Sequence, residues 1–275
     1  MILVILGIIC ILFILMIRTK PSYYESTIPK RIWTFWDESP PPEFIQKCID
    51  TWKTECPGFE VNVVSKETLQ DYVGPDEARE ILDWKFNTSA QRLSDLIRLS
   101  VLSIHGGIWL DASIVAYSSF QWVIDDGAPC IMFSIKEISE EPTLESWFIA
   151  CTKGNEFVSK WNEEFRCIAE YDTIDDYIED VNVSLEGIGY PDYLLVYVSC
   201  RKIFRDYPNS VKILSASEGP YIYHVNGGIN TLCGTKPKHF IKMRKEDRAA
   251  VKEAGEDVEA CVFNKNVGHI QDGKA

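Results

Sequence analysis

The stretch SDLIRLSVLSIHGGIWLDAS, residues 94–113, restricts the fold of this chain more than any other. Leu93, Leu96, Ile97, Val101 and Ile104 recur at three- and four-residue spacing, which predicts a helix over 89–104 with one buried stripe. Gly106-Gly107 can end that helix, because glycine enters the left-handed region without a Cβ penalty. Ile108-Trp109-Leu110 then fits a short central strand that stops on Asp111. Open α/β sheets bind ligands at the carboxyl ends of their strands, so Asp111 stands where a binding carboxylate is expected. On the helix face beside the buried stripe, Gln91, Asp95 and Arg98 lie at i, i+4 and i+7 and line up.

The flanking sequence reads as the same class of fold. Ile32 to Trp36 is a strand, residues 43–55 a helix with Phe44, Cys48, Ile49 and Trp52 on one side, and residues 59–64 a strand. Strand, helix, strand in so short a span is the βαβ unit of a parallel sheet. Trp33 and Trp36, three residues apart on a strand, face opposite sides, and alternation puts Phe35 with Trp33. Short helical pieces over 66–85, strands at 130–135 and 147–150 around an acidic loop (137–145), and helices over 154–169 and 191–205 complete the reading. The acidic run 172–180 is a solvated helix face or loop.

The bulk composition narrows the function. Of 275 residues 46% are hydrophobic, and setting aside the first ~20 leaves enough chain for one large α/β domain, placed at 31–240. Residues 241–275 are charged and read as a helix or tail. A net charge of −13 argues against a nucleic-acid partner, since no basic surface dominates. An anionic ligand would need a local Lys/Arg cluster or a divalent metal. The nine cysteines show no Cys-x-x-Cys and no repeating spacing, so they read as small buried residues rather than a disulfide framework, with a reducing compartment the better fit. Ile2 to Ile17 carry no charge and are followed by Arg18 and Lys20, which predicts a single-pass membrane anchor over 1–20 and a polar stem over 21–30. The basic residues after the span favour a cytoplasmic-facing domain. Two sequons, at Asn87 and Asn182, keep a lumenal, Golgi-type orientation open.

The blocks Ser94-Asp95-Leu96-Ile97-Arg98 and Gly106-Gly107-Ile108-Trp109-Leu110-Asp111-Ala112-Ser113, after Ile28 to Trp36, resemble glycosyltransferases with a DXD sugar-binding region. The likeness is strongest to capsular polysaccharide synthesis proteins and more distant to fungal mannosyltransferases and bacterial glucosylating toxins. Ser146 to Ala150, Gly154-Asn155 and Pro191-Asp192-Tyr193 resemble later blocks, so that it covers about 28–205. It implies a Rossmann-like α/β domain of GT-A type that takes a nucleotide-sugar donor and a glycan or polysaccharide acceptor with the help of a divalent cation, Mn²⁺ or Mg²⁺. In that reading Trp36 stacks on the nucleobase, Asp95 bonds nucleoside or sugar hydroxyls, Arg98 contacts the donor, and Asp111 takes the first acidic position of the motif near ribose and metal. An indole covers a flat base, and a carboxylate and a guanidinium fork suit hydroxyls and phosphate oxygens. Ser113 stands where many relatives have a second Asp, and a late histidine, His224, is a further candidate metal ligand.

Each residue also has a plainer reading. Asp95 with Arg98 makes an i,i+3 surface ion pair, worth a few tenths of a kcal/mol. Asp111 is a turn residue, Asp192 either a helix-start residue or an acceptor-side acid, and His224 an ordinary partly buried histidine. Lys236, Lys238 and Lys242 read as a solvated face rather than a phosphate-facing cluster. The helix–Gly-Gly–strand–Asp order decides for a donor site at Asp95, Arg98 and Asp111. The rival function is a non-catalytic sugar-nucleotide or glycan-binding module on the same fold. A metal-dependent hydrolase fits poorly, because the four histidines have no metal-ligand spacing.

Overall fold

The computed structural model describes residues 27–135, 142–234 and 236–264. Arg31–Phe35 (β1), Glu43–Glu55 (α1) and Glu60–Val64 (β2) form the expected strand–helix–strand unit, with β1 and β2 parallel. Leu69–Val73 (α2) and Pro75–Leu82 (α3) precede Ala90–His105 (α4), which is capped by Ser89: its hydroxyl accepts from the Arg92 N–H at 3.2 Å. Gly106 (φ 64) and Gly107 (φ 106) then turn the chain into Gly107–Leu110 (β3). A Cβ at Gly106 would lie 2.5 Å from the Lys153 backbone nitrogen, and one at Gly107 2.7 Å from the Arg31 carbonyl oxygen. Both sites need glycine for space as well as for dihedral freedom. The buried Trp33 indole donates to the Gly106 carbonyl at 2.9 Å, satisfying a group the turn would otherwise strand in the interior.

The remaining elements are Ile114–Ala116 (β4), Gln121–Asp126 (α5), Cys130–Ser134 (β5), Leu144–Cys151 (β6), Glu156–Cys167 (α6), Ile174–Val181 (α7) and Leu195–Asp206 (α8). They continue with Lys212–Ser215 (β7), Ile222–Val225 (α9), Phe240–Lys242 (β8), Lys245–Ala254 (α10) and Glu256–Phe263 (α11). Six strands make one sheet in the order β2-β1-β3-β6-β5-β7. β3 is parallel to β1 but antiparallel to β6, so the sheet is mixed rather than wholly parallel. β4 and β8 pair antiparallel in a separate ladder, Ile114 opposite Lys242. The side chains of β3 alternate between two cores. Trp109 joins Trp33, Leu96 and Trp161 on one face, and Ile108 and Leu110 join Ile32, Trp52 and Phe148 on the other. The fold is a mixed α/β structure about a central sheet, as expected, and β3 lies in its middle.

Two expectations are corrected. The single-pass membrane anchor, and with it the membrane location with a cytoplasmic-facing domain, is not supported. Residues 1–20 lie outside the described residues, and among the described residues no helix is long and apolar enough to cross a membrane. The longest, α4, has 16 residues and spans about 24 Å against a hydrocarbon core of about 30 Å, and it carries the charges of Arg92, Asp95 and Arg98. Among the cysteines, Cys233 and Cys261 form a disulfide, their Cα atoms 4.9 Å apart, which the spacing did not foretell. Cys48, Cys56, Cys130, Cys151 and Cys200 are free and buried, as expected of small apolar residues. The acidic loop predicted at 137–145 falls largely outside the described residues, while Leu144 and Glu145 already belong to β6.

Candidate functional site

A cleft of about 390 Å³ opens at the carboxyl ends of β1 and β3. The end of β1 contributes Phe35 and Trp36, and the first half of α4 contributes Gln91, Ser94, Asp95 and Arg98. Asp111, Ala112 and Ser113 follow β3, Tyr193 and Leu194 come just before α8, and Val196 and Tyr197 from its first turn. Opposite them stand Lys242, Arg244, Lys245 and Arg248 from β8 and α10. The residues expected from the helix–glycine–strand segment and from β1 thus meet in one place. The periodicity that gave α4 its buried stripe leaves Asp95 and Arg98 on the cleft side, and the short β3 stops with Asp111 at its mouth.

A chain of alternating charges runs through the cleft. Arg98 donates from Nη1 to Asp95 Oδ1 at 2.5 Å and from Nη2 to Asp111 Oδ1 at 3.0 Å. Trp109 Nε1 also donates to Asp111 Oδ1, at 3.1 Å, and the Arg98 guanidinium lies over the Trp109 ring, 5.0 Å from its centroid. Lys242 Nζ donates to Asp111 Oδ2 at 2.9 Å and to Ser113 Oγ at 2.9 Å, while Ser113 Oγ donates to the Met243 carbonyl at 2.8 Å. Asp95 and Arg98 are not a solvated helix pair: their side chains are only 11% and 5% exposed. Burial pushes the Asp95 carboxyl up to about 6, against the pull of Arg98. Burial also opposes ionisation of Asp111, but Lys242 and Arg98 outweigh it and hold that carboxyl well below the usual carboxylate range.

Other expected residues lie elsewhere. Asp192 is outside the cleft lining, its side chain 69% exposed and its carboxylate 3.1 Å from Arg92 Nη2. His224 packs its ring on Tyr223, with centroids 4.2 Å apart, and faces Asp247 at 3.4 Å, away from Asp111. Burial lowers its pKa. Trp36 lines the cleft half-buried, on the opposite side of β1 from Trp33 and Phe35. Lys242, read as part of a solvated face, is buried in the cleft instead. The signal was there in Phe240-Ile241-Lys242-Met243, one charge inside an apolar run, which requires a buried partner. Glu145 was missed as well. It accepts from the cleft-lining Tyr197 hydroxyl at 2.9 Å, and burial pushes its carboxyl up to about 7.

The residues named for a divalent ion do not fit one. Both Asp111 oxygens already accept from cationic donors, Ser113 Oγ is held between Lys242 and the Met243 carbonyl, and His224 belongs to a different cluster. Among the described residues no three His, Cys, Asp or Glu side chains converge as a metal site. The cation that Asp111 and Ser113 share is an ammonium.

These features define an α/β protein with a charged cleft at the carboxyl edge of its sheet, where open α/β sheets bind ligands. The chain belongs to the capsular polysaccharide synthesis protein family, whose model matches residues 14–179. That range holds Trp36, Asp95, Arg98, Asp111 and Ser113, and ends before Asp192, His224 and Lys242. The chain is 28% identical over 157 residues to glycosyltransferase afumC of Aspergillus fumigatus (strain CBS 144.89 / FGSC A1163 / CEA10), a match covering 50% of this chain and 40% of that protein. It is 27% identical over 158 residues to O-glycosyltransferase braB of Annulohypoxylon truncatum, covering 51% and 38%. The chain thus spans about two fifths of the length of these curated relatives. Among solved structures it is similar to PaToxG glycosyltransferase, with a TM-score of 0.42 and 13% identity over 90% of this chain and 81% of that one. The ligand-free glycosyltransferase domain of the YGT toxin gives a TM-score of 0.43 and 10% identity over 84% and 90%. Galactosyltransferase LgtC, solved with donor and acceptor sugar analogs, gives 0.40 and 11% over 72% and 78%.

Proposed function

We propose that this chain is a glycosyltransferase of GT-A type that moves a sugar from a nucleotide-sugar donor to a hydroxyl of a glycan or polysaccharide acceptor. The observation that carries the reading is the buried Asp95–Arg98–Asp111–Lys242 network at the mouth of β3. The family and the names of the relatives support it. Trp36, on the cleft wall, covers the flat base of the donor. Asp95 accepts from hydroxyls of the nucleoside or sugar, and Arg98 holds both carboxylates in place while facing the donor.

In the transfer, the bond between the anomeric carbon and the diphosphate oxygen breaks, and its electron pair goes to that oxygen. The acceptor oxygen bonds to the same carbon, and its proton is released to the medium. Negative charge grows on the departing diphosphate, facing the basic side chains of the cleft. Catalysis of this kind is positioning and electrostatic stabilisation, and it needs no strong nucleophile. Asp192, paired with Arg92 outside the cleft lining, is given no role in this reading.

The test is a panel of nucleotide-sugars with and without acceptor glycans, read as nucleoside diphosphate released by the full chain. Turnover with at least one donor is expected, with Asp111→Ala slowing it by about 10²–10³-fold, because Arg98 and Lys242 lose the carboxylate that positions them toward the leaving diphosphate. Donor binding without turnover across the panel would make the chain a binding module. Turnover indifferent to Asp111→Ala would remove Asp111 from the site.

A further inference from the structure

We propose that Lys242 supplies, as a built-in ammonium, the positive charge that a divalent ion was expected to bring to the Asp111-Ala112-Ser113 motif, so that the chain binds a nucleoside diphosphate without metal. The inference rests on the glycosyltransferase reading and says how its donor site is built.

Lys242 Nζ sits 2.9 Å from Asp111 Oδ2 and 2.9 Å from Ser113 Oγ, between the first and third positions of the motif. An ammonium has three N–H donors, so two hold the motif and one remains for a ligand oxygen. The Lys242 side chain is only 11% exposed, and its strand, β8, is fixed by the ladder to β4 and by the Met243 N–H donating to the Ser113 carbonyl at 3.2 Å. A divalent ion bound to Asp111 would stand against this ammonium and be repelled by it. The serine at the third position, otherwise a weak metal ligand, is well suited to an ammonium: a neutral oxygen accepts its second hydrogen bond without adding charge.

The surroundings fit a diphosphate. Five basic and three acidic side chains line the cleft, a local positive excess in a chain of net charge −13. Asp95 and Asp111 are paired with Arg98 and Lys242, and Asp37 is paired with Lys66 at 2.6 Å. Among the described residues, Arg244, Lys245 and Arg248 make no direct ion pair with a carboxylate, although Asp247 lies near enough to Arg244 to interact with it and Arg248 Nη1 donates to the Met243 carbonyl at 3.4 Å; their charge adds to that of Lys242 on this side of the cleft. Arg244 is held over the Tyr221 ring, 4.8 Å from its centroid, and so is positioned rather than free to wander.

The experiment titrates the full chain, stripped with EDTA, with uridine diphosphate and with guanosine diphosphate by calorimetry, then repeats both with millimolar Mn²⁺. Binding of at least one in EDTA is expected, changing less than about threefold with Mn²⁺. Lys242→Ala should weaken it about 10- to 100-fold, the scale of a lost charge-assisted hydrogen bond, and Lys242→Arg should keep most of it. Thermal unfolding reports whether Lys242→Ala folds. If it does not, Lys242→Arg and the exposed-site Arg244→Ala carry the test, the latter with an expected loss of about 3- to 10-fold. Titration of free Mn²⁺ by electron paramagnetic resonance should find no tight site in the native chain. Binding that appears only with Mn²⁺, and that Lys242→Ala and Arg244→Ala leave unchanged, would overturn the lysine assignment alone. No binding of either diphosphate under any condition would overturn the lysine assignment, and the transferase reading falls with it only if the nucleotide-sugar panel also gives no turnover.

Discussion

The cleft is made by two segments of opposite character. Residues 90–113 carry the acids: α4 is packed into one core, every residue of β3 is buried, and the Asp111 N–H donates to the Trp147 carbonyl of the next strand at 2.9 Å. Residues 240–254 carry the bases on a three-residue ladder and the exposed start of α10, where Arg244 and Lys245 face solvent. The acidic wall is therefore part of the core of the fold, whereas the basic wall is divided: β8 with Lys242 is buried, and Arg244 and Lys245 beyond it are exposed. Damage to the acidic wall should be read mainly as lost stability, and damage to the exposed bases mainly as lost ligand binding.

The largest effect is expected at Arg98. Arg98→Met leaves Asp95 and Asp111 without the guanidinium between them, and breaking a buried pair from one side costs about 3–5 kcal/mol. Denaturant unfolding should show the loss, smaller as pH falls and the stranded carboxyls protonate. A loss under about 1 kcal/mol would mean the network is solvated and the acidic wall is not core. Gly106→Ala comes next, since a Cβ there meets the Lys153 backbone at 2.5 Å with φ at 64, and on the order of 3 kcal/mol should go. Equal stability of the two proteins would show that the turn can rearrange.

Much of the acidic wall was legible because its signals are local. The 3.6-residue stripe predicted a helix over 89–104 and α4 covers Ala90–His105, while the glycines and the stop at Asp111 located β3. The same periodicity located α1 on the residues where it forms. The basic wall depends on pairing across more than a hundred residues, Ile114 with Lys242, and three-residue strands leave no alternation to read. The acidic run 172–180, read as a solvated helix face or loop, is the helix α7, and Tyr177 and Val181 are its buried positions. The Cys233–Cys261 pair brings together the segment before β8 and α11, which no spacing rule could join.

Smaller effects sharpen the contrast. Glu145, behind the cleft, has its carboxyl raised to about 7 by burial, with Tyr197, Trp147, Arg244 and Lys242 opposing the rise. A carboxyl raised on folding stabilises fully below its unfolded pKa, and that contribution is lost as pH rises through the folded value. Between about pH 4.5 and 7.5 the native chain should therefore lose on the order of 2–3 kcal/mol relative to Glu145→Gln, whose amide stays neutral. Parallel stability curves for the two would place the Glu145 titration elsewhere. Smallest of all in stability should be Arg244→Ala, within about 0.5 kcal/mol of native by thermal unfolding because the side chain is exposed. A large loss there would make the basic wall as much a part of the core as the acidic one.

The most direct measurement is a crystal structure of the full chain grown with a nucleoside diphosphate and Mn²⁺, with anomalous scattering collected at the manganese edge. Diphosphate oxygens are expected at hydrogen-bond distance, about 2.7–3.2 Å, from Lys242 Nζ and near Arg244, with no manganese peak at Asp111. A manganese peak between Asp111 and Ser113, with Lys242 swung out of the cleft, would contradict the lysine assignment.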